Sequence, residues 1–233
     1  MFEPNVVIWP FFETETVADR RRFTIKVLLL FLAFVFAGLL QWILAMTLLS
    51  NFCYLMAKNH SSALFLAFVA GLFIFMIFAI SKSIRRTKCL NWIMTLFIVE
   101  LLVVPIIALM VDDSLLHMLT GFLIASVIFL FCVILAATMP TDITTGGLYI
   151  YLMTLGFYLL SLYCIVLYSI LNLTWMYYPF AILMACVVAF FLMYHVQCIM
   201  GGRAAATKLY DDLYAALLLF IELLALFILT LYF

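Results

Sequence analysis

The sequence predicts an all-α membrane protein of seven transmembrane helices, on three observations. Hydrophobic residues fill 70% of the 233 positions and charged residues only 9%, whereas about a quarter of an ordinary soluble domain is charged. So much apolar surface has to face lipid. Long apolar runs recur along the whole chain, each near the ~20 residues that a helix needs to cross the hydrocarbon. The basic residues, finally, fall on alternate connections, as an oriented bundle requires.

In chain order, residues 1–19 read as a short cytosolic tail. Acidic residues flank an apolar patch at 6–12 that Pro10 breaks, and no basic leader precedes it, so the segment lacks the features of a cleaved signal. The patch either rests at the membrane interface or stays a loose tail. Residues 20–233 form one membrane domain with spans at about 27–49, 62–80, 90–110, 115–137, 148–171, 177–200 and 213–233. With the amino terminus in the cytosol, Arg20, Arg21, Arg22, Lys26, Lys82, Arg85, Arg86, Lys88, Arg203 and Lys208 share one side, and only Lys58 of the eleven basic residues lies opposite. Two N-x-S/T tripeptides, at Asn59 and Asn172, fall in loops on the non-cytosolic side and are candidate glycosylation sites.

The connections are short. None offers a Gly-rich phosphate cradle, a basic and aromatic nucleic-acid surface, a G-x-S-x-G or an H-E-x-x-H. The expectation is therefore no enzyme, no bound cofactor and no nucleic-acid partner, only the lipid bilayer and other membrane proteins. A seven-helix receptor fits poorly, because a D-R-Y-like triplet is missing after the third span. Six cysteines fall singly with no zinc spacing and read as small packing residues.

Chemistry, if present, lies inside the bundle. The ionisable residues within spans are Glu100 in the third, His195 late in the sixth and Glu222 in the middle of the seventh, with His117 near an edge. A charge at mid-bilayer costs about 2.5 kcal/mol or more, so such groups face a partner, a cavity or an ion path. His195 reads either as a neutral hydrogen-bonded imidazole or as part of that path. Glu100 reads either as a protonated packing residue or as a member of it. Glu222 is too deep to snorkel. Gln41, Asn91 and Gln197 can supply interhelical hydrogen bonds, and Pro105 would free carbonyls beyond Glu100. Asp211 and Asp212 open the last helix, where they either cap it or gate it.

The carboxyl-terminal stretch resembles the signature of the transmembrane Bax inhibitor motif family, in its lifeguard branch. There the sixth segment ends Y-D-T-Q-x-x-x-G-[GN]-K and the seventh begins E-E-Y-x-x-A-A-L-x-L-Y-x-D-I-I-x-L-F. Tyr194-His195-Val196-Gln197, Gly201-Gly202-Arg203, Ala215-Ala216-Leu217, Leu219-Phe220, Glu222-Leu223 and Leu226-Phe227 correspond without a gap. Arg22-Phe23-Thr24-Ile25-Lys26-Val27 is similar to the family's R-x-F-x-x-K-V, and Asp142-Ile143-Thr144-Thr145-Gly146 to its D-F-T-x-x-G. Leu90-Asn91, Phe97 and Glu100 resemble its P-x-N and F-T-x-x-E at a shorter spacing.

The resemblance covers about 20–233. It implies a Bax-inhibitor-like bundle with the seventh helix central, placed in endoplasmic reticulum or Golgi membranes. The function it implies is a pH-sensitive calcium or cation leak that lowers stored calcium and suppresses apoptosis. The family's paired aspartates, a proton-sensitive latch and cation site, correspond here to His195 and Glu222. The resemblance thus implies an ion path or latch at His195, Glu222 and Glu100, and a hinge and gate at Gly201, Gly202, Arg203, Asp211 and Asp212. Gln197, Asp142 and Asn91 would surround them, and Glu222 would remain as a weak calcium site, with calcium as the permeant ion. Replacing one carboxylate by imidazole halves the carboxylate charge and should lower calcium selectivity. Poxviruses and cytomegaloviruses carry divergent members, so the alternative is a viral, non-conducting adaptor that modulates host cell-surface or immune proteins.

Overall fold

Residues 16–111 and 113–231 are described by a computed structural model, so the tail patch at 6–12 lies outside the described residues. Among them the structure has helices and no strand. In order they are α1 Val17–Thr47, α2 Ser50–Ile80, α3 Lys82–Arg86, α4 Lys88–Met110, α5 Leu115–Thr138, α6 Gly147–Leu171, α7 Tyr177–Met200 and α8 Asp212–Thr230, with 3-10 turns at Ile143–Gly146 and Thr174–Met176. All but the short α3 are long and apolar enough to cross a membrane.

Five span boundaries agree with the sequence reading to within a few residues, and two do not. α1 starts at Val17 because Thr16 caps it, its hydroxyl accepting the Asp19 N–H at 3.1 Å. α2 starts at Ser50 because only Leu48 and Leu49 separate it from α1. No Gly or Pro interrupts 50–61, so the polar stretch there stays helical apart from a kink at His60 (φ −131°).

α8 is the most buried span, with 61% of its most apolar window buried against 11% for α2. It packs on α1, α4, α5 and α7. A helix apolar on every side belongs in the middle of a bundle, and Ala215 and Ala216, both fully buried, let neighbouring backbones approach. One end of the bundle gathers Arg20, Lys26, Arg85 and Arg203. Lys26 pairs with Asp212 there, and the Arg203 guanidinium donates to the Met139 and Pro140 carbonyls at 2.9 and 3.1 Å, closing the end of α5. Toward the other end α8 meets an aromatic plug. Trp42 stacks on Phe227 at 4.9 Å and meets the edge of Phe122 at 6.4 Å, while its indole N–H donates to the Val103 carbonyl at 3.0 Å. α4 runs unbroken through the buried Pro105.

Candidate functional site

His195 on α7 and Glu222 on α8 meet inside the bundle, Nδ1 to Oε1, at 2.5 Å. Glu222 lies about 15 Å along α8 from its first residue. Its side chain is 9% exposed and that of His195 is 24%. The difference has a cause: His195 forms the floor of a crevice of about 300 Å³ that opens at the basic end of the bundle, beside Lys82, Arg85, Lys208, Asp211 and Tyr214. Glu222 sits behind it. Oε2 of Glu222 is buried with no hydrogen-bond partner among the described residues, a position where a water or a cation would satisfy it.

At the mouth of the crevice, Arg85 and Asp211 form a buried ion pair of 2.8 Å, with side chains 8% and 7% exposed. The same guanidinium lies 4.8 Å over the Tyr214 ring and donates to the Phe78 and Ala79 carbonyls that end α2. The Asn91 amide donates to the Arg85 carbonyl at 2.9 Å and so fixes the short helix carrying it. One side chain therefore ties α2, α3 and the start of α8 together at the entrance. Asp211 does not cap α8, because its carboxylate is turned to Arg85.

A second network joins the α5–α6 connection to the α7–α8 connection. The Gln197 side-chain Oε1 accepts the Ile143 N–H at 2.9 Å, and its side-chain Nε2 donates to the Thr141 and Ala136 carbonyls at 3.1 and 3.3 Å. The Asp142 carboxylate accepts from the Thr144 hydroxyl and N–H at 2.6 and 2.9 Å and from the Ala204 N–H at 2.9 Å. Led by the Thr144 hydroxyl, these donors hold the Asp142 carboxyl below the usual carboxylate range. Gly201 and Gly202 turn the chain between the networks at φ +71° and +69°. A Cβ on Gly201 would stand 2.6 Å from Arg20 Nε.

The structure thus brings His195 and Asp211 to one crevice, with Glu222 behind His195, and Gln197, Asp142 and Arg203 into the clamp beside it. It does not bring Glu100 to them. Glu100 lies midway along α4 on an exposed face, where the Gln41 amide donates to Oε1 at 2.8 Å. Asn59 lies within α2 rather than in a loop, whereas Asn172 ends α6 in the left-handed region at φ 52°. Sequence reasoning counted Arg85 only as a topological charge and passed over Tyr214. The donor set at Glu222 is one carboxylate and one imidazole, and among the described residues no cluster of three His, Cys, Asp or Glu is suited to a metal. A hard cation at Glu222 would take most of its oxygen shell from water.

The fold and site define a multi-pass, seven-span helical membrane protein with a buried ionisable pair whose histidine lines a crevice. Set against family profiles, curated proteins and solved structures, the chain matches none of them.

Proposed function

We propose that the protein is a proton-sensitive cation leak built on the Bax-inhibitor plan, which lowers the calcium stored in the endoplasmic reticulum or Golgi and thereby suppresses apoptosis. The observation that carries this reading is the His195–Glu222 couple beneath a crevice at the basic end, which the positive-inside rule assigns to the cytosol. The family motifs support it as well. Asp142 on the α5–α6 connection, and Gln197 and Arg203 at the end of α7 and just beyond it, belong to a single clamp.

The chemistry follows from proton counting. Without a titrating proton the couple carries one negative charge, with one it is neutral, and with two it is positive. A permeant cation is attracted only in the first state, so the leak falls as the couple takes up protons. Arg85, Asp211, Tyr214 and Tyr194 line the same crevice as His195. The plug residues Trp42, Phe122 and Phe227 pack together toward the other end of α8, so a conducting state would need these rings to part.

The test is calcium flux from liposomes loaded with the purified protein, recorded against pH. Glu222→Gln keeps the shape and removes the charge, and should cut flux about tenfold or more while flattening its pH dependence. Unchanged flux would refute the reading. His195→Asp should raise calcium selectivity. The same plug favours a second reading, a non-conducting viral adaptor that alters host surface or immune proteins. Unchanged calcium stores with lost surface receptors in expressing cells would select it.

A further inference from the structure

Glu100 is a carboxylate where the bundle should show only hydrocarbon. One turn to either side, Leu96, Phe97 and Val104 are all exposed, as are Trp92 and Ile93 on the same helix. Among the described residues its hydrogen-bond partner is Gln41 of α1, which donates to Oε1 at 2.8 Å. Every ion pair among the described residues lies elsewhere, and no lysine or arginine reaches Glu100.

Beside this pair the bundle is indented. α2 packs along α4 and only slightly along α1, leaving a groove of about 280 Å³ lined by Gln41, Leu44, Phe52, Met56, Val104 and Ile107. Gln41 and Val104 belong both to the groove wall and to the surroundings of Glu100. The groove runs from Gln41 toward the α1–α2 turn, with the mid-span Glu100 acceptor beside its inner end. That is the form of a helix-docking site, since polar groups between helices act as glue where lipid offers no alternative partner.

We infer that the α1–α4 face around Glu100 and Gln41 docks a transmembrane helix of a partner protein that carries a lysine or arginine near the middle of its span. Charge complementarity selects this occupant. A cationic side chain gives the carboxylate an ion pair that Gln41 cannot, and the carboxylate removes the penalty of the cation in lipid. A second copy of this chain would instead bring carboxylate to carboxylate about a two-fold axis. The docking surface is separate from the His195–Glu222 couple and does not depend on the leak reading.

The test uses the full chain in phosphatidylcholine vesicles, with a donor dye on the exposed Cys89. The probes are synthetic leucine–alanine transmembrane helices bearing an acceptor dye and a central lysine or a central leucine. Energy transfer should show the lysine helix associating about tenfold more tightly, the size of effect that interhelical hydrogen bonds give in model helices. Glu100→Gln should erase that preference, while Glu222→Gln should keep it. The inference is overturned if the wild-type chain does not distinguish the two helices, a comparison that needs no variant to fold. It is equally overturned if the preference survives in Glu100→Gln, or if Glu100-dependent self-association of the chain occupies the face.

Discussion

Replacing Arg85 with methionine preserves most of the aliphatic stem and removes the guanidinium from the crevice mouth. Three consequences follow from the geometry. The Asp211 carboxylate, 7% exposed, loses its ion partner, the Phe78 and Ala79 carbonyls lose a donor, and Tyr214 loses the cation above its ring. Removing one partner of a buried pair costs about 3–5 kcal/mol, chiefly because the other charge stays buried. For a chain of this length that lowers Tm by about 6–20 °C. The buried cysteines Cys53, Cys132, Cys164 and Cys198 supply the assay, since a thiol-reactive fluorogenic dye reports them as the bundle opens on heating. The double variant Arg85→Met/Asp211→Asn should recover part of the loss, because it leaves no orphaned charge. A shift in Arg85→Met below about 1 kcal/mol, or a double variant no more stable than Arg85→Met alone, would refute the view that this pair fixes α8 at its entrance.

At the turn, Gly201→Ala should destabilise the fold by about 2–3 kcal/mol, from a backbone region that only glycine enters readily and from displacement of Arg20. Gly202→Ala, with open space around its Cβ, should show the backbone part alone, and equal melting shifts for the two would contradict the Arg20 contact. The Asp142 carboxyl titrates lower in the fold than in the unfolded chain, so its contribution is present above the unfolded carboxylate range and is lost as pH falls through the folded value. Hydrogen exchange at Thr144 and Ala204 should accelerate together in that acid window. Exchange at these two amides that ignores pH there, or that changes identically in Asp142→Asn, would disprove the clamp.

The spans were legible because lipid makes apolar length itself the signal. Their rotation was not, for the same reason: with core and lipid faces both apolar, the sequence states how deep Glu100 lies but not which way it points. That is why Glu100 reads either as a packing residue or as part of an ion path, and is found on an exposed face beside Gln41. His195 and Glu222 were legible because two costly groups near one connection have reason to meet, and they do. Arg85 escaped notice because a basic residue in a connection is ordinarily a topological charge, and nothing local announces that it turns back to Asp211. The early starts of α1 and α2 escaped because helix outside the hydrocarbon leaves no hydropathy signature.

The burial of α8 also carries a consequence for biosynthesis. A ribosome delivers these helices in chain order, so the span that fills the centre is the seventh to reach the translocon. Until it arrives, the earlier spans lack the helix they pack around, and His195 lacks Glu222. Assembly is then closer to inserting a keystone than to stacking, and nascent chains stalled before α8 are the species that membrane quality control should capture.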